Sequence, residues 1–172
     1  MAQFHRRTYS GAQFKKELFS IAKQAGLFAS AIGGISPALQ EKLPVTVRGL
    51  DPALRERIML AVTGVNDCHY CEFVHSRLGQ AVGVCQTEVA AILSGDFTEV
   101  PDPDRPALEF ARRWAERDGE STPEDKAKLV EEYGQFKADQ IEMACRVMRL
   151  SNLFGNTFDS LLFKASGGKI GG

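Results

Sequence analysis

The sequence predicts an all-α helical bundle, an expectation that rests on three observations. Apolar residues recur at helical spacing along most of the chain, strand-like alternation is nearly absent, and proline and glycine fall where helices start and stop. Phe14, Leu18, Ile21, Ala22, Ala25 and Phe28 share one face of a first helix, which Gly33-Gly34 ends. Ser36 followed by Pro37 is a cap with proline at the first helical position, opening a short helix to about Leu43. Val45-Thr46-Val47 is the one strand-like run and is too short to found a sheet.

Asp51-Pro52 repeats the cap-plus-proline signal and starts a helix that Gly64 should stop. Asn66-Asp67 then caps a helix from Cys68 to about Val82, and Thr87 opens a short one ending near Gly95. Pro101-Asp102-Pro103-Asp104 reads as a loop inside the domain. Leu108, Phe110, Ala111, Trp114 and Ala115 follow at helical spacing, with Trp114 and the phenylalanines expected in the core. Thr122-Pro123 caps the next helix, which Gly134 ends. A last helix runs from about Ala138 to Phe163, carrying Ile141, Cys145, Met148, Phe154, Phe158 and Leu162. The 172 residues suit one domain, with residues 1–50 a helical N-terminal extension packed on it and 166–172 a loose tail.

Hydrophobic residues make up 44% and charged residues 25%, ordinary values for a soluble globular chain. The 21 basic and 22 acidic residues are spread along the length, which argues against a nucleic-acid partner. Lys15, Lys16 and Glu17 interrupt the first apolar stretch, so neither a secretory signal nor a membrane span is expected. Four cysteines, two of them three apart, read as redox or metal chemistry in a reducing compartment, by default the cytoplasm.

The informative stretch is Cys68-His69-Tyr70-Cys71-Glu72-Phe73-Val74-His75. Cys68 falls in the first turn of its helix, where unpaired N–H groups and the dipole favour a thiolate. Cys71 lies three residues on, near enough for a disulfide if that turn adjusts. His75 is one turn beyond Cys71 on the same side, so an imidazole there can take the Cys71 proton and pair with the thiolate. If the helices before and after Asn66-Asp67 form an antiparallel hairpin, Glu56 and His75 both stand roughly 10 Å from the turn. A carboxylate at that level can reach the imidazole and fix its tautomer.

Other chemistries are weighed against this one. Glu72 occupies the place where a c-type haem site needs histidine. Zinc would have Cys68, Cys71 and His75 but lacks a fourth ligand at suitable spacing, so no metal and no organic cofactor is assigned. Cys85 and Cys145 read as small core residues, His69 as a solvated helix-start residue and His5 as part of the N-terminal tail.

Arg55-Glu56-Arg57, Asn66 through Cys71 and His75-Ser76-Arg77-Leu78 together resemble the alkylhydroperoxidase D-like, carboxymuconolactone decarboxylase superfamily. The shared pattern is glutamate, eleven residues, Cys-x-x-Cys, three residues, then histidine, within about Asp51–Leu93. Asn152-Leu153-Phe154-Gly155-Asn156 is similar to the family's Asn/Phe-rich C-terminal stretch. The resemblance implies an alkylhydroperoxidase D-like helical bundle assembling as homotrimers or homohexamers, with the active site near a subunit contact. It implies a thiol-dependent peroxidase in which Cys71 attacks the hydroperoxide and Cys68 resolves the sulfenic acid. His75 would act as base, Glu56 would polarise it, and an external dithiol would reduce the disulfide. Tyr70 stands where peroxidase members carry a second histidine, and His69, one residue earlier, should point about 100° away around the helix. A general disulfide oxidoreductase or a redox-sensing oligomer is the alternative reading. The decarboxylase branch lacks the cysteine pair.

Overall fold

A computed structural model describes residues 6–7, 10–24 and 49–170. The expected helix at Ser36-Pro37, the Val45-Thr46-Val47 run, Ala25, Phe28 and Gly33-Gly34 lie outside the described residues, as does His5. Among the described residues every regular element is a helix. They are α1 (Gly11–Lys23), α2 (Pro52–Asn66), α3 (His69–Ala81), α4 (Gln86–Ser94), α5 (Arg105–Glu116), α6 (Pro123–Tyr133) and α7 (Gln135–Ala165).

Helix α2 is the hub. It packs against α7, α3, α5 and α4, and nearly every residue from Leu54 to Thr63 is buried. A helix surrounded on all sides loses its polar face, so the charges it carries must find partners inside. Arg57 does so through Nε to Glu88 Oε1 of α4 at 2.6 Å and Nη1 to Asp104 Oδ2 at 2.9 Å. Asp51 caps α2 as expected, accepting from the N–H groups of Ala53 and Leu54 at 3.0 Å. Leu108, Phe110, Ala111, Trp114 and Ala115 of α5 line the core against α2 and α7. Each large side chain so buried contributes about 1.5–3 kcal/mol relative to exposure.

Three local expectations are corrected. Gly64 does not end α2. A Cβ there would lie 2.3 Å from the Leu93 carbonyl oxygen, so glycine at this point lets α4 approach the α2 backbone. The helix ends instead at Asp67, which adopts the left-handed conformation (φ 52°). Asn66-Asp67 therefore closes α2, and Cys68 itself is the N-cap residue of α3.

On α1 the buried positions are Glu17 and Ile21, while Leu18 and Ala22 face outward. Glu17 is drawn in by Arg146 Nη1 at 3.2 Å and Arg149 Nε at 3.4 Å, both on α7. Cys85, expected in the core, is exposed as the N-cap residue of α4, whereas Cys145 is fully buried.

Helix α7, 31 residues long, runs past α2 and α3 and carries two kinds of surface. Ile141, Cys145 and Met148 enter the core, but Phe154 and Phe158 are exposed, contrary to the expectation that the phenylalanines are core. They stand beside the N-terminal half of α3.

Candidate functional site

The turn joining α2 to α3, Asn66-Asp67-Cys68, is held by a column of polar side chains on α7. Asn152, Asn156 and Asp159 recur at helical spacing on one face, and all three are fully buried. Asn152 Oδ1 accepts from Asn66 Nδ2 at 3.0 Å, and Asn156 Nδ2 donates to the Asn66 carbonyl at 2.8 Å. Buried amides of this kind are stable only when paired, so the column fixes the turn at one position along α7.

The two sulfurs are 2.8 Å apart and both cysteines are free thiols. Their surroundings differ. Cys68 is 1% exposed, closed over by Gly155, where a Cβ would lie 2.8 Å from its Sγ. Cys71 is 8% exposed and lines an apolar pocket of about 500 Å³ with Tyr70, Val74, Met148, Phe154 and Phe158. A small molecule thus reaches Cys71 and not Cys68.

The pair shares one negative charge unequally. A hydrogen bond from the Cys71 thiol lowers the Cys68 pKa to about 7, against the opposing effect of burial. Backbone N–H groups of Cys71 and Tyr70 and the Asn152 side chain add to that lowering, as expected at the start of a helix. The same hydrogen bond, with burial and the Cys68 charge, pushes Cys71 well above its ordinary value. One thiolate per pair should therefore form as the pH rises through about 7, without a second at moderately alkaline pH.

A titration of thiolate absorbance in a Cys85→Ser background checks this. Exposed Cys85 is itself lowered by its hydrogen bond with Thr87, while burial holds Cys145 far above its ordinary value. Two thiolates appearing together would contradict the shared proton.

His75 lines the same pocket as Cys71. Its Nδ1 is 2.7 Å from Glu56 Oε2, and Glu56 is 2% exposed on α2. The hairpin geometry that sets these two residues level thus also turns them toward each other. A carboxylate at Nδ1 accepts a hydrogen bond from Nδ1–H, which keeps the proton on that nitrogen and leaves Nε2 as the acceptor. Arg55 Nε, 3.1 Å from Glu56 Oε1, holds the other carboxylate oxygen.

Sequence reasoning missed the partner of His69. Its Nδ1 lies 3.0 Å from Asp159 Oδ2, so the residue is tied to a buried carboxylate rather than simply solvated. The only sequence signal for this was the polar spacing 152, 156, 159 on α7. Among the described residues, no cluster of three or more His, Cys, Asp or Glu side chains has the geometry to hold a metal ion.

Residues 38–117 match the carboxymuconolactone decarboxylase family. The matched span extends on both sides of the motif, to the residue after α5, and includes Glu56, both cysteines and His75. That family includes alkylhydroperoxidase D-like proteins, and the all-helical architecture agrees with their fold. Comparison with curated proteins and with solved structures returned no match. No described helix is long and apolar enough to cross a membrane.

Proposed function

We propose that this chain, which matches the carboxymuconolactone decarboxylase family over residues 38–117, is a thiol peroxidase that cycles Cys68 and Cys71 between dithiol and disulfide. The supporting observation is that the one cysteine open to the pocket, Cys71, has the Glu56–His75 pair on its open side and a sealed thiol at 2.8 Å on the other.

As an organic hydroperoxide reaches the pair in its dithiol form, Nε2 of His75 takes the Cys71 proton, so that Cys71 briefly holds the pair's single thiolate, and the sulfur attacks the terminal peroxide oxygen. An S–O bond forms and the O–O bond breaks. The alkoxide takes the proton back from His75 and leaves as alcohol. Cys68, as thiolate, then attacks the Cys71 sulfenic acid. The S–S bond forms, and the departing hydroxide takes a proton from solvent to become water. Two electrons have passed from two thiols to the peroxide, and an external dithiol returns them in a reducing compartment such as the cytoplasm.

The exposed apolar residues that line the pocket, Tyr70, Val74, Phe154 and Phe158, favour a site completed at a subunit contact in a homotrimer or homohexamer.

Stopped-flow mixing with cumene hydroperoxide tests the reading, with two thiols expected to be lost per peroxide consumed. Cys71→Ser should abolish the fast phase, whereas Cys68→Ser should keep it and accumulate a sulfenic acid. Equal rates for wild type and Cys71→Ser would remove Cys71 as the attacking thiol.

The low pKa of Cys68 favours a second reading, a general disulfide oxidoreductase, because a good leaving thiolate speeds exchange. Faster turnover on a small disulfide than on hydroperoxide would select it.

A further inference from the structure

Ahead of α1, Arg6 and Arg7 reach the turn between α2 and α3 and the polar column of α7. Arg6 forms an ion pair with Asp159 of α7 and lies 3.9 Å from Asp67. The backbone beside it is tied into the same turn, since Asn156 Nδ2 donates both to the Arg7 carbonyl at 3.0 Å and to the Asn66 carbonyl. Asp159 is 0% exposed and stands one helical turn beyond Gly155, the residue in contact with Cys68. Tyr70 stands among these charges: hydrogen bonding of its phenol toward Asp159 raises its pKa, the charges of Asp159 and Cys68 act in the same direction, and Arg6 opposes them.

A Cys68 thiolate and the Asp159 carboxylate are like charges in a region with little water, where each opposes the other. The charged and titratable groups around this turn are Asp67, His69, Tyr70 and Cys71 from the turn itself, Asp159 from α7 and Arg6 from the N-terminal segment. Helix α2 presents Thr63 and Asn66, which carry no charge. The permanent cation in this set is Arg6, and it sits on the carboxylate rather than in solvent.

We propose that Arg6 is a positioning residue for Cys68: its guanidinium is the fixed positive charge that offsets Asp159 and so allows Cys68 to stand as the thiolate of the pair. The inference rests on reading the pair as a redox centre and adds a residue far from the motif that sets its charge. Arg6 paired with Asp159 keeps Cys68 ready to attack a sulfenic acid and to leave when the disulfide is reduced.

The thiolate titration in the Cys85→Ser background tests this without peroxide or reductant. Arg6→Gln should raise the midpoint by roughly half a pH unit or more, and Asp159→Asn should lower it. The double variant should fall between them, and Arg6→Lys should restore the parent midpoint. An unmoved midpoint in Arg6→Gln overturns the proposal, as does a shift that Arg6→Lys fails to restore, since shape rather than charge would then be responsible. If Asp159→Asn does not fold, the Arg6→Gln and Arg6→Lys pair decides alone. A chain that titrates as expected but leaves cumene hydroperoxide unconsumed keeps this inference and loses the peroxidase reading. The converse outcome does the reverse.

Discussion

His75→Ala will slow hydroperoxide-driven oxidation of the cysteine pair by about 10²- to 10⁴-fold, the range for losing a positioned general base. The imidazole is one turn from Cys71, lines the same pocket and is aimed by a buried carboxylate. Stopped-flow rates at several hydroperoxide concentrations read the effect as a second-order constant. The thiolate titration should change little, because the Cys68 thiolate is stabilised chiefly by the Cys71 hydrogen bond. Glu56→Gln should lose less, since the amide can still accept from Nδ1 but no longer supports a positive charge on the ring. A rate in His75→Ala close to wild type would leave the nucleophile without its base and transfer the proton step to Cys68.

Gly64→Ala will destabilise the fold, although alanine is the better helix former by about 1 kcal/mol. The added methyl group meets the Leu93 carbonyl oxygen at 2.3 Å, and that atom belongs to the α4 backbone, which has no rotamer to change. Overpacking against such an obstacle costs about 1–3 kcal/mol net. For a chain of this size each kcal/mol lowers Tm by about 2–4 °C, so the change is visible in a thermal melt. Gly11→Ala is the control, because a Cβ there meets nothing within 4 Å. A more stable Gly64→Ala protein would show that α4 is free to move off α2.

The same glycine shows where sequence reasoning reached its end. Caps are local, so Asp51-Pro52 and Thr122-Pro123 could be read directly, and the level of Glu56 with His75 follows from helix rise alone. A glycine that ends a helix and one that admits a neighbouring helix look alike in sequence, because the difference lies in α4. Burial of Glu17 depends on two arginines on α7, and the tie of His69 depends on Asp159. Both partners are distant in sequence, so hydropathy placed Leu18 inward and His69 in water. Phe154 and Phe158 keep the helical spacing of core residues yet line the rim of a pocket, a distinction that periodicity does not carry. The candidate site was therefore legible as a motif, whereas on its second side the Asn152–Asn156 stretch showed only as a resemblance and the contacts of Asp159 and Arg6 did not show at all.

The polar column on α7 bears on how far the motif can travel. A Cys-x-x-Cys-x-x-x-His segment grafted with its glutamate onto another helical hairpin would bring the base and both thiols. It would leave behind the Asn152 and Asn156 amides that hold the turn and the Gly155 surface that closes over Cys68. Such a graft would present two water-exposed thiols of similar acidity, and either could react first. The division of labour between the cysteines belongs to the whole bundle, and the portable unit is the hairpin together with the middle of its longest helix.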